Sequence, residues 1–140
     1  MKFKVTGLAQ LNKAIDKAQR DITKRTDAEI KRIADEILQS ALARVHVLSG
    51  ALKASAFVEK IENGYTIGFA ISYAAFEEFG TSTLANAPDD YKEYALTFKV
   101  EGGRIRNGEP HPYLFPAFLA RRDKIVDELS LSLQSYISKF

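Results

Sequence analysis

Leu8, Leu11, Ile15, Ala18 and Ile22 recur three or four residues apart, and the stripe resumes at Ile30, Ile33, Ile37, Ala41 and Val45. That is the period of one face of an α-helix. Ala34, Leu38 and Leu42 widen its second part. The second part alone, about 20 residues, makes a rod roughly 30 Å long at 1.5 Å per residue. A domain of 140 residues has a radius of gyration of only about 14 Å. The helix therefore crosses most of the body. Between the two parts lies Thr26-Asp27-Ala28-Glu29, a capping box with a hydroxyl at the cap and a carboxylate three residues on. It either restarts the helix or sits on a continuous one. A continuous helix would project beyond the body and leave part of its apolar face available to a neighbour.

Ser49-Gly50 ends this region. Phe57 to Glu62 and Tyr65 to Ile71 then flank Asn63-Gly64. Asn-Gly between β-rich runs is the strongest short-range hairpin signal, because both residues tolerate positive φ. Tyr65, Ile67, Phe69 and Ile71 share one face of the second strand, alternating with Thr66, Gly68 and Ala70. A short helix over Tyr73–Phe79 is expected next, with Gly80 as its left-handed stop. Thr81–Asp90 reads as an exposed loop, and Ala95–Val100 as a third main strand. Phe3 and Val5 alternate with lysines as a short edge strand, and Gly102-Gly103 turns into a brief return through Arg104-Ile105. Pro110, Pro112 and Pro116 point to a rigid, extended segment, since each fixes φ and disfavours helix just before it. A last helix is expected from about Ala117, with Leu119, Arg122, Val126, Leu129, Leu133 and Tyr136 on one stripe. No internal repeat is present.

Composition narrows the class. With 46% hydrophobic and 27% charged residues the chain is globular, and its length fits a single domain over 1–140. No apolar run approaches the roughly 20 residues that span a bilayer, so no membrane partner is expected. Met1-Lys2-Phe3-Lys4-Val5 has no apolar core region or small-residue cleavage site and is not read as a signal peptide. The absence of cysteine removes disulfides, thiolate zinc sites and cysteine nucleophiles together, and suits a cytosolic protein. The formal net charge of +2 is uneven: residues 1–60 carry +5 and residues 61–100 carry −4. The basic residues alternate with acids along the first helix, as at Asp16/Arg20 and Arg32/Glu36, which is the pattern of a solvated face. A basic half and an acidic half also suit head-to-tail pairing between copies.

Groups able to carry chemistry are few. Glu77 and Glu78 are consecutive, so on a helix they lie about 100° apart and do not converge on one substrate atom. One is expected to face solvent while the other accepts from nearby backbone or a basic neighbour. His46 and His111, the only histidines, are far apart in sequence, and neither has metal-type spacing. His46 near a helix C-terminus is a favourable dipole partner. Ser49 lacks a nucleophile elbow, and the glycine-rich stretch from Gly102 to Gly108 lacks the Walker spacing. No catalytic, cofactor-binding or metal-binding residue is expected.

Three separated segments resemble one family. His46 to Ser55, with Ser49-Gly50-Ala51-Leu52-Lys53-Ala54-Ser55, resembles its "proline, any residue, hydroxyl, glycine, any residue, leucine, basic, any residue, serine" element. Tyr73-Ala74 through Glu78-Phe79-Gly80-Thr81 is similar to its "Tyr-Ala … Glu-(Phe/Tyr)-Gly-Thr" element, and Pro112-Tyr113-Leu114-Phe115-Pro116-Ala117 to its "Pro-(Phe/Tyr)-Leu-x-Pro-Ala" element. The family is that of lambdoid tailed-phage tail components, also described as neck, tail-completion or head–tail joining minor tail proteins. Order and spacing agree over essentially the whole chain. The first element departs from the pattern, with no proline and with Ser49 where threonine is common.

The resemblance implies a small α+β subunit that assembles into a ring at the head–tail junction or tail top, the hexamer being a candidate stoichiometry. Its partners would be copies of itself, head-completion proteins and tail-tube or terminator proteins. Its place would be the virion, after assembly in the bacterial cytoplasm. The residues themselves agree with a structural role: Gly50 and Gly80 as turns, Pro112 and Pro116 as stiffeners, the aromatics as anchors. The expectation is an α+β domain with a small, mainly antiparallel sheet, a long N-terminal helix, a short central helix and a C-terminal helix, acting as a non-enzymatic virion assembly protein. A nucleic-acid-binding module is the alternative, and a small hydrolase comes last.

Overall fold

The computed structural model describes residues 2, 4, 6–46, 50–80, 89, 92 and 111–139. The expected edge strand at Phe3 and Val5, the third strand at Ala95–Val100, nearly all of the Thr81–Asp90 loop and the return through Gly102–Ile105 lie outside the described residues. So do Ser49 and Thr81.

The described elements run in the order α1 (Leu8–Arg44), α2 (Gly50–Ala54), β1 (Ala56–Ile61), β2 (Gly64–Phe69), α3 (Ala74–Phe79) and α4 (Leu114–Ile137). This is the expected α+β architecture. The stripe is a single 37-residue helix, about 55 Å long at 1.5 Å per residue. The capping box does not interrupt it. Asp27 instead accepts from Lys60 Nζ at 2.9 Å and from the Tyr65 hydroxyl at 3.1 Å, tying the hairpin to mid-helix. The Lys60 bond holds the Asp27 carboxyl below its ordinary range.

β1 and β2 pair antiparallel from Ala56↔Phe69 to Ile61↔Gly64. The loop is therefore Glu62-Asn63, one residue earlier than the Asn-Gly signal places it. Gly64 takes the unusual backbone, with φ 157°, while no described residue other than glycine has positive φ. The alternation on β2 is as expected. Ile67, Phe69 and Ile71 pack on the core, while Thr66 and Ala70 are exposed. On the other face Phe57 lies across Gly68, where a Cβ would stand 2.7 Å from the ring. The missing side chain makes room for that aromatic.

The core gathers Ile33, Ile37, Ala41 and Val45 of α1 and its end with Leu52, Ala74, Tyr113 and Ala117. α4 runs antiparallel along α1, with Ala41 and Ala117 both fully buried. Arg121 bonds Glu36 at 2.7 Å and Glu128 at 2.9 Å, and Arg32 of α1 is paired with Glu29, Glu36 and Glu128. Further along, the Tyr136 hydroxyl meets Asp21 at 3.2 Å, and the Arg25 guanidinium sits 4.3 Å from the Tyr136 ring centre. Arg32–Glu36 thus forms as expected, but Asp16 and Arg20 make no ion pair among the described residues.

Two expectations about α4 need correction. Its stripe holds at Leu129 and Tyr136, with Leu119 and Leu133 half-buried, but Arg122 and Val126 are exposed, and Ala117, Phe118, Arg121 and Ile125 take inward places instead. It also begins at Leu114 rather than about Ala117, taking Pro116 into its first turn. Proline is tolerated there because the first N–H groups of a helix have no intrahelical acceptor. Gly50, expected as a turn, opens the short helix α2.

Candidate functional site

The residues singled out in the sequence converge where α3 meets the start of α4. α3 is one and a half turns long, so Ala74 and Glu78, four apart, lie on one face. Both are buried, Glu78 to 5% exposure, with Phe79 beside them. Gly80 ends the helix with φ 72° and donates its N–H to the Phe76 carbonyl at 2.8 Å. The expected glycine stop is there with a positive φ, but ψ 174° extends the chain instead of placing Gly80 in the left-handed helical well.

Glu78 is directed at the N-terminus of α4. Its Oε2 accepts from the N–H groups of Tyr113 at 2.8 Å and Leu114 at 2.9 Å, and its Oε1 from that of Phe115 at 2.9 Å. The next residue, Pro116, has no N–H. One carboxylate and one proline therefore account for four successive backbone positions that a helix start leaves without acceptors. The negative charge also lies at the positive end of the α4 dipole. No side chain of the Tyr113 cap itself does this work.

The same junction is closed from the other side. The Tyr113 hydroxyl donates to the Ala74 carbonyl at 3.0 Å, and the His111 N–H to the Glu77 carbonyl at 2.8 Å. Tyr113 stands edge-on to Phe69 with ring centres 4.8 Å apart, and Phe115 lies 5.4 Å from Phe79. Burial, with Glu78 and Glu77 next in effect, pushes the Tyr113 hydroxyl well above the ordinary tyrosine range. It stays a neutral donor.

Of the predicted residues, Leu52, Ala74, Tyr113 and Ala117 share one core cluster, with Tyr73 and Leu114 packed against it. Glu78, Phe79, Gly80 and Pro116 form the interlock beside it. Pro112 is exposed ahead of it, and Gly50 is exposed at the start of α2. The Glu78 carboxylate is thus used within the fold. Both Glu78 oxygens already accept, and the side chain is shut away from solvent. A general acid or base needs the opposite: a reachable oxygen and a proton to move.

Comparison with family models, curated proteins and solved structures returns no match for this chain. Its surfaces must therefore speak for themselves. An open hollow of about 650 Å³ beside α1 is lined by Asp16, Asp27 and Glu62 against Arg20, Lys24 and Lys60. Such balance does not make a phosphate track, which needs an uncompensated basic face. No group of three or more His, Cys, Asp or Glu side chains is gathered around a metal-sized space among the described residues. No described helix is long and apolar enough to cross a membrane.

Exposed apolar residues lie elsewhere, at Val126, Leu131 and Ile137 of α4, at Ile61, and as a stripe on the first turns of α1. Leu8 is 71% exposed, Leu11 56% and Ile15 53%. They continue the face that carries Ile33 and Ile37, but α4 ends alongside Asp21 and Arg25, so the first turns of α1 run on past it.

Proposed function

We propose that this chain is a non-enzymatic assembly subunit of a tailed phage or prophage, building an oligomeric ring at the head–tail junction or the tail top. The observation that carries this is the interlock of the three resembling segments. Leu52 of the first, Ala74 and Glu78 of the second, and Tyr113 and Ala117 of the third are spent on holding one another. What they hold in place is a rod whose apolar stripe outruns its intramolecular partner. A face of that kind at the end of a rigid helix suits a contact with the next copy of the chain. Repeated head-to-tail, such contacts close a ring. Copies of itself are the first partners, with head-completion and tail-tube or terminator proteins above and below, and the virion is the final location.

Deleting the gene from the phage or prophage that carries it tests the proposal. Heads and tails should both accumulate, unjoined, in electron micrographs. Normal joined particles from the deletion, or a block before either part forms, would count against it.

A further inference from the structure

The fold places the only two histidines of the chain side by side, although nothing in their spacing suggests it. We propose that His46 and His111 form a surface site for a divalent transition-metal ion of the zinc, nickel or copper class. The inference is independent of the assembly proposal.

The ring centres are 6.3 Å apart and the planes are tilted by 50°. With metal–nitrogen bonds of about 2.0–2.1 Å, two imidazoles on one ion keep their ring centres roughly 5–6 Å apart. Rotation of the side chains closes the difference. Both histidines are exposed, so an ion reaches them without any opening of the fold.

Their backbones are anchored. His46 follows Val45, which is 4% exposed and whose N–H donates to the Ala41 carbonyl at 3.1 Å. The His111 N–H donates to the Glu77 carbonyl, one residue before the Glu78 interlock. Pre-positioned ligands lose little freedom on binding, which strengthens a site with only two of them. His46 also stands two residues past the last residue of a 37-residue helix. The unpaired carbonyls at that end carry partial negative charge, and a dication beside them is favoured.

Imidazole selects the borderline metals, with copper and nickel ahead of manganese, and is a poor ligand for magnesium or calcium. With no third side chain gathered among the described residues, water fills the remaining positions. The site is therefore open and of moderate affinity, with a dissociation constant on the order of 10–100 µM.

The test uses the full chain without an affinity tag at about pH 7.5, since metal binding competes with protons for the ligand. Isothermal titration with nickel or zinc chloride should show one ion per chain, and magnesium chloride no binding. His46→Gln and His111→Gln, each alone, should weaken binding at least tenfold. Wild-type binding weaker than millimolar, or either variant binding as the wild type does, would overturn the proposal. A measurement without substitution guards against a variant that fails to fold. In long-range ¹⁵N NMR spectra of the wild type, the ring nitrogens of both histidines should shift together as zinc is added. If one moves alone, the pair is not the site.

Discussion

The α3–α4 junction and the first turns of α1 are built on opposite principles. At the junction polar groups answer one another: the Glu78 carboxylate takes three N–H groups, Pro116 offers none, and the Tyr113 hydroxyl finds the Ala74 carbonyl. Along the first turns of α1, Leu8, Leu11 and Ile15 are each more than half exposed. Internal satisfaction spends a residue on its own fold, and an unanswered apolar face leaves it for another molecule. The difference separates two uses of a surface: the acidic motif holds the fold, and the assembly proposal assigns the contact to the plain helix.

The largest effect should come from breaking the junction. Glu78→Ala leaves three N–H groups at a buried helix start without acceptors, and should cost about 3 kcal/mol or more. Glu78→Gln keeps the shape but loses the charge and turns an amide donor toward N–H donors, so it should destabilise less than alanine and still clearly. Urea unfolding followed by circular dichroism reads both. If Glu78→Gln equals the wild type in stability, the carboxylate is not what secures α4.

Tyr113→Phe removes the bond to Ala74 and should cost about 1 kcal/mol. It also carries a pH signature. Because burial raises the folded-state value of Tyr113 above the ordinary 10, the unfolded chain loses that proton first. The stability that Tyr113 contributes is whole below pH 10 and drains away as pH rises from there toward the folded value. Alkaline unfolding curves of Tyr113→Phe should accordingly fall less steeply above pH 10 than those of the wild type.

The smallest effect on stability is expected at the other region. Leu11→Asp with Ile15→Asp, both on the exposed turns, should change the unfolding free energy by no more than about 0.5 kcal/mol. A large loss would mean that these turns are already packed within the single chain.

Much of the fold was legible in the sequence because its signals are local. The α1 stripe, the alternation on β2 and the glycine stop at Gly80 each depend on residues within a few positions of one another. The one-residue shift of the hairpin loop came from the pairing of Ile61 with Gly64, which the turn dipeptide alone does not determine. The face of α4 departs from its expected stripe at Arg122 and Val126 for a physical reason. Arg121 and Glu128 lie toward α1 because Glu36 and Arg32 are there to pair with them, so charged residues occupy part of the inward stripe. Val126 meanwhile keeps the helical period with half-buried Leu119 and Leu133 but is itself exposed. The start of α4 was hidden by Pro116, which disfavours helix before it unless something else secures the first turn.

That something is Glu78, and its role was only half visible. A backbone acceptor role was one of the outcomes expected of the glutamate pair, but the partners lie more than thirty residues ahead, at Tyr113, Leu114 and Phe115. No local pattern connects them. The histidine pair was illegible for the same reason, since only the docking of α4's approach against the end of α1 brings His111 to His46.

The most direct test of the contrast is the native mass of the chain as a function of concentration, for the wild type and for the Leu11→Asp, Ile15→Asp variant. Sedimentation velocity over a wide concentration range, with the head and tail partners added in a second series, makes the measurement. The wild type should gather into one closed oligomer of defined mass, while the variant stays monomeric with an unchanged unfolding midpoint. A wild type that remains monomeric throughout, even with those partners present, or a variant that assembles as readily, would contradict it.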